Sequence, residues 1–110
     1  MLTKREIKGS NDSGRIEWTG EVDLEIDGEG NVKGKIDWRG HGDRGGIYNG
    51  VETVKGKLEG DDLRLQGKSK TGNIVLCTYS GTWRNGQIDL RWPPHRPRYS
   101  GGRVSSHAYR

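Results

Sequence analysis

The sequence predicts an all-β fold, a small antiparallel meander of about six strands that closes into a barrel or half-barrel, with nearly no helix. Apolar residues and glycines alternate with charged residues over most of positions 15–92, which is the period of a half-buried strand. Short clusters of Gly, Asn and Asp separate the alternating segments. No segment keeps a helical apolar period over three turns. A meander with a single apolar face has to hide that face, which favours closure into a barrel.

The most regular part of the chain predicts a β-hairpin. Segments 15–27 and 32–39 each place their apolar residues and glycines on one face. Between them, DGEGN at 27–31 contains two glycines that can adopt the positive φ of a tight turn. The outer face of the first segment is acidic and that of the second is largely basic. We therefore expect cross-strand pairs such as Glu25 with Lys33.

Four further strands complete the predicted meander. They are expected at 52–60, 63–70, 74–83 and 87–92. Turns are predicted between them at 61–62, 71–73 and 84–86, because these positions carry DD, TGN and RNG. The remaining stretch between the second and third strands, residues 40–50, is predicted to be a connecting loop.

The predicted interior is small. Only 28% of the residues are hydrophobic and Phe is absent, so tryptophan has to supply much of the core volume. Four tryptophans lie on the apolar face: Trp18, Trp38, Trp83 and Trp92. One or two of them could instead line a pocket at a barrel mouth. Isolated glycines within strands predict bends or close contact between neighbouring backbones, at Gly20, Gly34, Gly56, Gly67 and Gly81. This composition predicts marginal stability or association with copies of the chain.

Charge divides the 110-residue chain into a neutral part, residues 1–92, and a basic end. All 15 acidic residues lie before position 93, so residues 93–110 carry the whole net charge of +4. We predict one domain: an N-terminal extension at 1–14, the barrel at 15–92, and a basic Pro/Arg/Gly tail at 93–110. The sequence shows neither an apolar signal segment nor a run of about 18 apolar residues. The prediction is therefore a cytoplasmic protein without a membrane span.

The loop at 40–50 contains the first group of candidate binding residues. His41, Asp43, Arg44 and Tyr48 are suited to proton transfer or to binding an anion. Five glycines in the same segment make it flexible, whereas catalysis needs rigidly held groups. We therefore expect an exposed connecting loop or a recognition loop. It lacks the Lys and Ser/Thr of a phosphate-binding loop.

The tail contains the second group. Arginines are interleaved with tyrosines and histidines there, a composition that suits an acidic protein surface, a nucleic-acid phosphate or an unspecific solvated basic terminus. The candidate residues are Arg96, Arg98, Tyr99, Arg103 and Arg110. Four arginines are too few for tight nucleic-acid binding, so that affinity is expected to be weak and sensitive to salt.

No catalytic or metal-binding constellation emerges from the sequence. Cys77 lies within a predicted strand, where cysteine commonly packs as a small apolar residue. The three histidines (His41, His95 and His107) are widely separated. We therefore predict a protein without a cofactor and without enzymatic activity.

The function predicted from these features is a protein-interaction or regulatory module. It would use an exposed strand edge, the glycine-rich loop and the basic tail to contact a protein partner, an acidic surface or another copy of the chain. The first alternative is a barrel that binds a small ligand or performs a simple reaction in its mouth. The second is a weak nucleic-acid binder that uses the tail.

Overall fold

Eight antiparallel strands form a closed barrel in the computed structural model, which describes residues 2–72, 78–94 and 100–106, with the backbone alone at 69–72. Each strand pairs with the next along the chain, and the last strand pairs back with the first. No helix occurs among these residues, so the predicted all-β antiparallel class is confirmed. The strands are β1 (Leu2–Asn11), β2 (Ile16–Ile26), β3 (Asn31–Gly42), β4 (Ile47–Glu59), β5 (Asp62–Gly72), β6 (Thr78–Arg84), β7 (Gln87–Trp92) and β8 (Gly102–Ser106).

The two additional strands come from segments that the sequence analysis placed outside the barrel. The predicted N-terminal extension at 1–14 contains β1, and the predicted tail at 93–110 contains β8. These strands pair with each other, with Gly9 opposite Val104. Ile7 and Val104 are 2% and 0% exposed, so both strands supply core residues. The predicted count of about six strands was too low because β1 and β8 close the barrel.

The predicted loop at 40–50 is a short turn. Strand β3 runs to Gly42 and β4 begins at Ile47, which leaves residues 43–46 between them. The Gly42 N–H donates to the Gly46 carbonyl at 2.7 Å, and Gly45 has a φ of 79°. Most of this glycine-rich segment is therefore paired strand. The predicted turn at 71–73 overlaps β5, which continues through Gly72, and its last residue lies outside the described ranges.

The predicted hairpin is β2–β3, and its register agrees with the charge pattern. Glu25 lies opposite Lys33, and Lys33 Nζ is 3.5 Å from Glu25 Oε2. The turn is closed by Asp27, whose Oδ1 accepts hydrogen bonds from the backbone N–H groups of Glu29 and Asn31 at 2.8 and 2.9 Å. This is the Asx geometry that Asp commonly provides in turns.

Glycines within the strands allow neighbouring backbones to approach closely, as predicted. A Cβ atom at Gly34, Gly56 or Gly81 would lie 1.9, 1.7 or 1.7 Å from a carbonyl oxygen of the adjacent strand. No larger residue fits these positions without a backbone shift. Such contacts permit the tight curvature of a small barrel.

The interior has two chemically different parts. Aliphatic side chains fill the middle and one end: Ile7, Val22, Leu24, Ile26, Val32, Ile36, Val54, Leu63, Leu65, Ile88, Leu90 and Val104. Aromatic side chains gather towards the other end, near the turns at 12–15 and 43–46, and we call these five residues the aromatic cluster: Trp18, Trp38, Tyr48, Tyr79 and Trp92. Trp83 packs against the core at the opposite end. All four tryptophans face the interior, as the alternation predicts.

Candidate functional site: an aromatic cluster around a buried carboxylate

The rings of the aromatic cluster form a continuous set of contacts. Trp38 is central: its ring centroid lies 5.7 Å from that of Trp18, 6.1 Å from Tyr79 and 5.8 Å from Trp92. The Trp38 and Tyr79 rings are stacked with an interplanar angle of 28°, whereas Trp18 and Trp92 meet Trp38 edge-on. Tyr48 extends the cluster to the rim, 6.3 Å from Trp18. These separations fall within the range for favourable aromatic pairs.

Glycines on neighbouring strands make room for two of the rings. Trp18 lies opposite Gly40 and Trp92 lies opposite Gly102. A Cβ atom would be 2.6 Å from Trp18 Cζ3 at Gly40 and 2.2 Å from Trp92 Cζ2 at Gly102. Each ring therefore covers a glycine backbone, an arrangement that stabilises glycine positions in sheets.

Glu52 lies among these aromatic residues and is fully buried, with 0% of its surface exposed. Trp38 Nε1 donates a hydrogen bond to Glu52 Oε1 at 2.7 Å, and the Tyr79 hydroxyl donates to the same oxygen. The other oxygen, Oε2, has no hydrogen-bond partner. Gly67 leaves space for it, since a Cβ there would lie 1.9 Å from Oε2. A register irregularity between Val51 and Glu52 marks the same point in the β4–β5 ladder.

Burial raises the pKa of Glu52 above its ordinary value, because removal from water disfavours the charged form. The hydrogen bonds from Tyr79 and Trp38 act in the opposite direction, since they stabilise the ionised carboxylate, but burial dominates the pKa. Oε1 already accepts two hydrogen bonds, so the proton of the neutral carboxyl group belongs on Oε2. This oxygen is a donor when Glu52 is neutral and an acceptor when it is ionised.

A second unpaired polar atom lies in the same part of the barrel. Among the described side chains, the buried polar atoms without a hydrogen-bond partner are Thr3 Oγ1, Trp18 Nε1 and Glu52 Oε2. Both Trp18 and Glu52 lie beside Trp38: the Trp18 ring packs against the Trp38 ring, and Glu52 accepts a hydrogen bond from Trp38 Nε1. The aromatic end therefore contains two buried polar atoms that can bind a polar group.

The four candidate residues of the predicted loop do not form one site. His41 is exposed on the outer face of β3, and Asp43 and Arg44 are exposed in the turn. Tyr48 instead turns inward against Trp18. These residues were predicted as one group because they are close in sequence, but strand alternation places the Tyr48 side chain inside the barrel and the His41 side chain outside.

The tail candidates are only partly described by the structure. Arg103 is an exposed residue of β8, and its guanidinium lies 3.4 Å from Asp89 Oδ1. It therefore forms an ion pair within the barrel surface. The other predicted residues lie outside the described ranges: Arg96, Arg98, Tyr99 and Arg110. The same holds for Cys77, His95 and His107.

The outer surface has a shallow groove of about 360 Å³. It lies across β1, β2 and β3 near Gly20, and its rim is charged. Within the described ranges, no three His, Cys, Asp or Glu side chains are grouped closely enough to bind a metal ion. The same residues contain no helix of the length and hydropathy needed to span a membrane.

The inward position of Glu52 can be recognised in the sequence. In β4 the inward positions are even-numbered, as shown by buried Val54 and half-buried Leu58. Extending that alternation backwards places Glu52 on the apolar face. An acidic residue at an inward strand position is unusual, because burying a carboxylate is unfavourable without partners. That exception is the sequence feature that predicts the site.

Comparison with known proteins gives information on the fold alone. No family model matches the chain, and no curated protein matches it. A de novo designed, fluorescence-activating β-barrel of known structure is similar, with a TM-score of 0.55 and 14% sequence identity over 98% of this chain and 94% of that one. This similarity supports the antiparallel barrel architecture.

Proposed function

We propose that this chain is a small-molecule-binding barrel whose site is the aromatic end. The ligand would be planar and largely apolar, with one polar group directed at Glu52 Oε2. The observation that supports the proposal is the complete burial of Oε2 without a hydrogen bond. Leaving a buried polar atom unpaired costs about 1–3 kcal/mol, and more if it is charged. A ligand that supplies the missing hydrogen bond would recover this free energy.

The rings define the shape of the ligand. Trp18 and Tyr48 are half-buried at the rim, so their surfaces are accessible to a molecule that enters from this end. Aromatic pairs favour offset stacking or edge-to-face contact with centroids about 4.5–7 Å apart. A flat ring system inserted beside Trp18 would make such contacts and bring its polar group towards the carboxylate.

A protonated nitrogen is the polar group that fits best. It would form an ion pair with ionised Glu52, which would offset the burial cost that raises the pKa of this residue. The faces of tryptophan and tyrosine rings also attract cations. A neutral ligand with a carbonyl group would pair with protonated Glu52 instead, and the two ligand types are distinguished by experiment.

The test uses a matched set of planar fluorogenic dyes that carry an amidinium, an amide or a carboxylate on the same ring system. We choose dyes because the designed barrel of similar fold is described as fluorescence-activating. We expect the amidinium dye to bind at least ten times more tightly than the amide dye, a difference of about 1.4 kcal/mol. Glu52→Gln should abolish this preference. Glu17→Gln, which neutralises an exposed carboxylate on β2, should leave it unchanged.

Two results would contradict the proposal. One is the absence of binding by every dye up to about 1 mM. The other is equal affinity of the wild type and folded Glu52→Gln for the dyes, with folding of the variant confirmed by circular dichroism. Tighter binding of the amide dye than of the amidinium dye would keep the site but assign it to neutral ligands.

The protein-interaction module stays a second proposal. Exposed Ile47, at 67%, lies at the same rim as the exposed charges of Asp43 and Arg44, and such a combination suits a small contact surface. Contact through the open edge of a sheet is not part of this proposal, because each of the eight described strands has two neighbouring strands in a closed barrel. If Ile47 anchors self-association, wild-type protein should sediment as a dimer at about 100 µM. Ile47→Asp should sediment as a monomer. Neither proposal includes catalysis, and the absence of enzymatic activity stays a prediction.

A further inference from the structure

The barrel carries a concentrated positive charge on the outer faces of three neighbouring strands. Six exposed side chains form this surface, which we call the basic face: Lys33 and Lys35 of β3, Lys55 and Lys57 of β4, and Arg64 and Lys68 of β5. In the sequence, the net positive charge lies in the predicted tail at 93–110. Residues 1–92 have no net charge in sequence, but pairing of β3, β4 and β5 brings six of their cations together on one side.

Strand register brings like charges directly together on the basic face. Lys33 lies opposite Lys55, and Lys57 lies opposite Arg64. Side chains directly opposite on antiparallel strands have Cβ atoms about 4.5–5.5 Å apart, and like charges at that separation are destabilising. Lys68 is a diagonal neighbour of Lys55, because the residue opposite Lys55 is two positions before it. Lys55 therefore has cations on both neighbouring strands.

Few of these charges are neutralised within the protein. Lys33 is 3.5 Å from Glu25. Lys57 Nζ donates a hydrogen bond to Asn31 Oδ1 at 3.2 Å, and Asn31 Nδ2 in turn donates to Asp27 Oδ2 at 3.0 Å, so one acidic group lies near Lys57 without forming a direct ion pair. For the described part of the chain, no carboxylate lies within ion-pair distance of the other five cations of the basic face. Elsewhere on the barrel, Lys4, Arg84 and Arg103 each have an acidic partner. The basic face is thus a set of solvated cations held close to one another.

Acidic residues border the basic face and restrict the shape of its partner. Asp23 and Glu25 of β2 lie opposite the two lysines of β3, and Glu59 and Asp62 flank the turn between β4 and β5. A broad anionic plane such as a membrane surface would contact these carboxylates as well as the lysines. A narrow polyanion can follow the cations and avoid them. The exposed large apolar residues of the described chain, Leu2 and Ile47, are not part of the basic face, so it offers no group for insertion into lipid.

We propose that the basic face binds the phosphate backbone of a nucleic acid without reading its sequence. Lysine and arginine provide the charge, and contacts of such side chains to phosphates position a nucleic acid without carrying sequence information. Six phosphate contacts predict that the logarithm of the affinity falls with the logarithm of the salt concentration with a slope of about −5 for duplex DNA, and less steeply for single strands. This site is separate from the aromatic end, so the proposal stands independently of ligand binding there.

The experiment compares two double variants that lower the net charge by the same amount. Lys55→Gln/Lys57→Gln removes two cations from the basic face, whereas Lys4→Gln/Lys8→Gln removes two exposed cations of β1. Binding of a labelled 20-base-pair DNA duplex and of one of its single strands is measured by fluorescence anisotropy between about 0.05 and 0.2 M salt. Over this range the wild-type affinity for duplex should fall about a thousandfold.

The basic-face variant should bind more weakly at low salt, and its affinity should fall only about a hundredfold over the same range, since two of six contacts are lost. The β1 variant should keep the wild-type slope. The melting temperature of the basic-face variant should be equal to or higher than that of the wild type, because like-charge contacts are relieved. A melting temperature that is unchanged or higher would show that the weaker binding of this variant does not come from loss of folding.

Several outcomes would overturn the proposal. One is the absence of duplex and single-strand binding by the wild type at 0.05 M salt. Another is an equal change in the salt slope of both double variants. An Arg96→Gln/Arg98→Gln variant that loses the salt-dependent binding while Lys55→Gln/Lys57→Gln retains it would assign the interaction to the predicted tail. Tighter binding to vesicles containing about 30% phosphatidylserine than to either nucleic acid would show that the basic face serves a membrane surface.

Discussion

Replacing Glu52 by Gln should remove a specific part of the pH dependence of folding. In the folded barrel, burial raises the pKa of Glu52 above its ordinary value of about 4.5, while the unfolded chain keeps that ordinary value. Between the two pKa values the folded protein holds a proton that the unfolded chain has released. The free energy of unfolding therefore decreases as the pH rises through this range. The contribution is complete below about pH 4.5 and is lost as the pH rises through the folded pKa.

The size of the effect follows from the same linkage. Each unit by which the folded pKa exceeds the ordinary one corresponds to about 1.4 kcal/mol. One group cannot change the stability by more than about 1.4 kcal/mol per pH unit. Since small domains are stable by only about 5–15 kcal/mol, a shift of a single unit would be measurable. The amide oxygen of Gln can still accept from Trp38 and Tyr79, so the variant retains the geometry of the site while losing the titration.

The assay is urea unfolding of the wild type and of Glu52→Gln at pH values from about 4 to 8.5, with circular dichroism as the signal that monitors unfolding. The difference between the two free energies of unfolding isolates Glu52, because other titrating groups contribute equally to both proteins. Asp27 is one such group: the hydrogen bonds from Asn31 lower its pKa, so its contribution is lost on acidification. Glu17→Gln serves as the control for removal of an exposed carboxylate. A difference between the wild type and Glu52→Gln that stays constant across the whole range would refute the assigned environment of Glu52.

Three further predictions concern the barrel itself. Gly56→Ala should lower the free energy of unfolding by about 3 kcal/mol or more in urea titrations, because its Cβ would lie 1.7 Å from a backbone carbonyl oxygen. The control Gly28→Ala, whose Cβ would have no atom within 4 Å, should change it by less than about 0.5 kcal/mol. Equal effects of the two substitutions would contradict the close approach of the backbones at Gly56. Tyr79→Phe removes a hydrogen bond to Glu52 and should cost about 1.5–3 kcal/mol where Glu52 is ionised, but less at pH 4.5, so a loss independent of pH would count against that bond. Leu24→Ala should cost about 2–5 kcal/mol by thermal or urea unfolding, since Leu24 is fully buried in the aliphatic core, and a loss below 1 kcal/mol would show that the site is not packed as described.

The strongest local pattern predicted its structure correctly. Alternation and turn residues fixed the β2–β3 hairpin, its inward residues and the Glu25–Lys33 pair without reference to the rest of the chain. This was possible because a strand places successive side chains on opposite faces, so one buried face determines the register of the hairpin. The glycines at 34, 56 and 81 were likewise identified by their position within strands.

The candidate site depended on contacts between residues far apart in sequence. Glu52, Trp38 and Tyr79 come from three different strands and meet only because the closed barrel directs their side chains inward. The segment that holds His41 and Tyr48 was predicted as a candidate binding site because its polar residues are close in sequence. Strand alternation places those two side chains on opposite sides of the sheet. The basic face arises in the same way, from the lateral order of β3, β4 and β5.

The sequence by itself determined the class of fold, the central hairpin and the inward face of most strands, since these depend on neighbours two positions apart. The tertiary structure alone decided that β1 and β8 are strands. Each contributes few apolar side chains, and β8 has only Val104 among its five residues. Their conformation is supported by pairing with each other and with β2 and β7, including the hydrogen bond from the Ile88 N–H to Ser106 Oγ at 2.8 Å. Closure of a barrel joins the two ends of the chain, and hydrogen bonding between segments about 100 residues apart leaves no periodic signal in either segment.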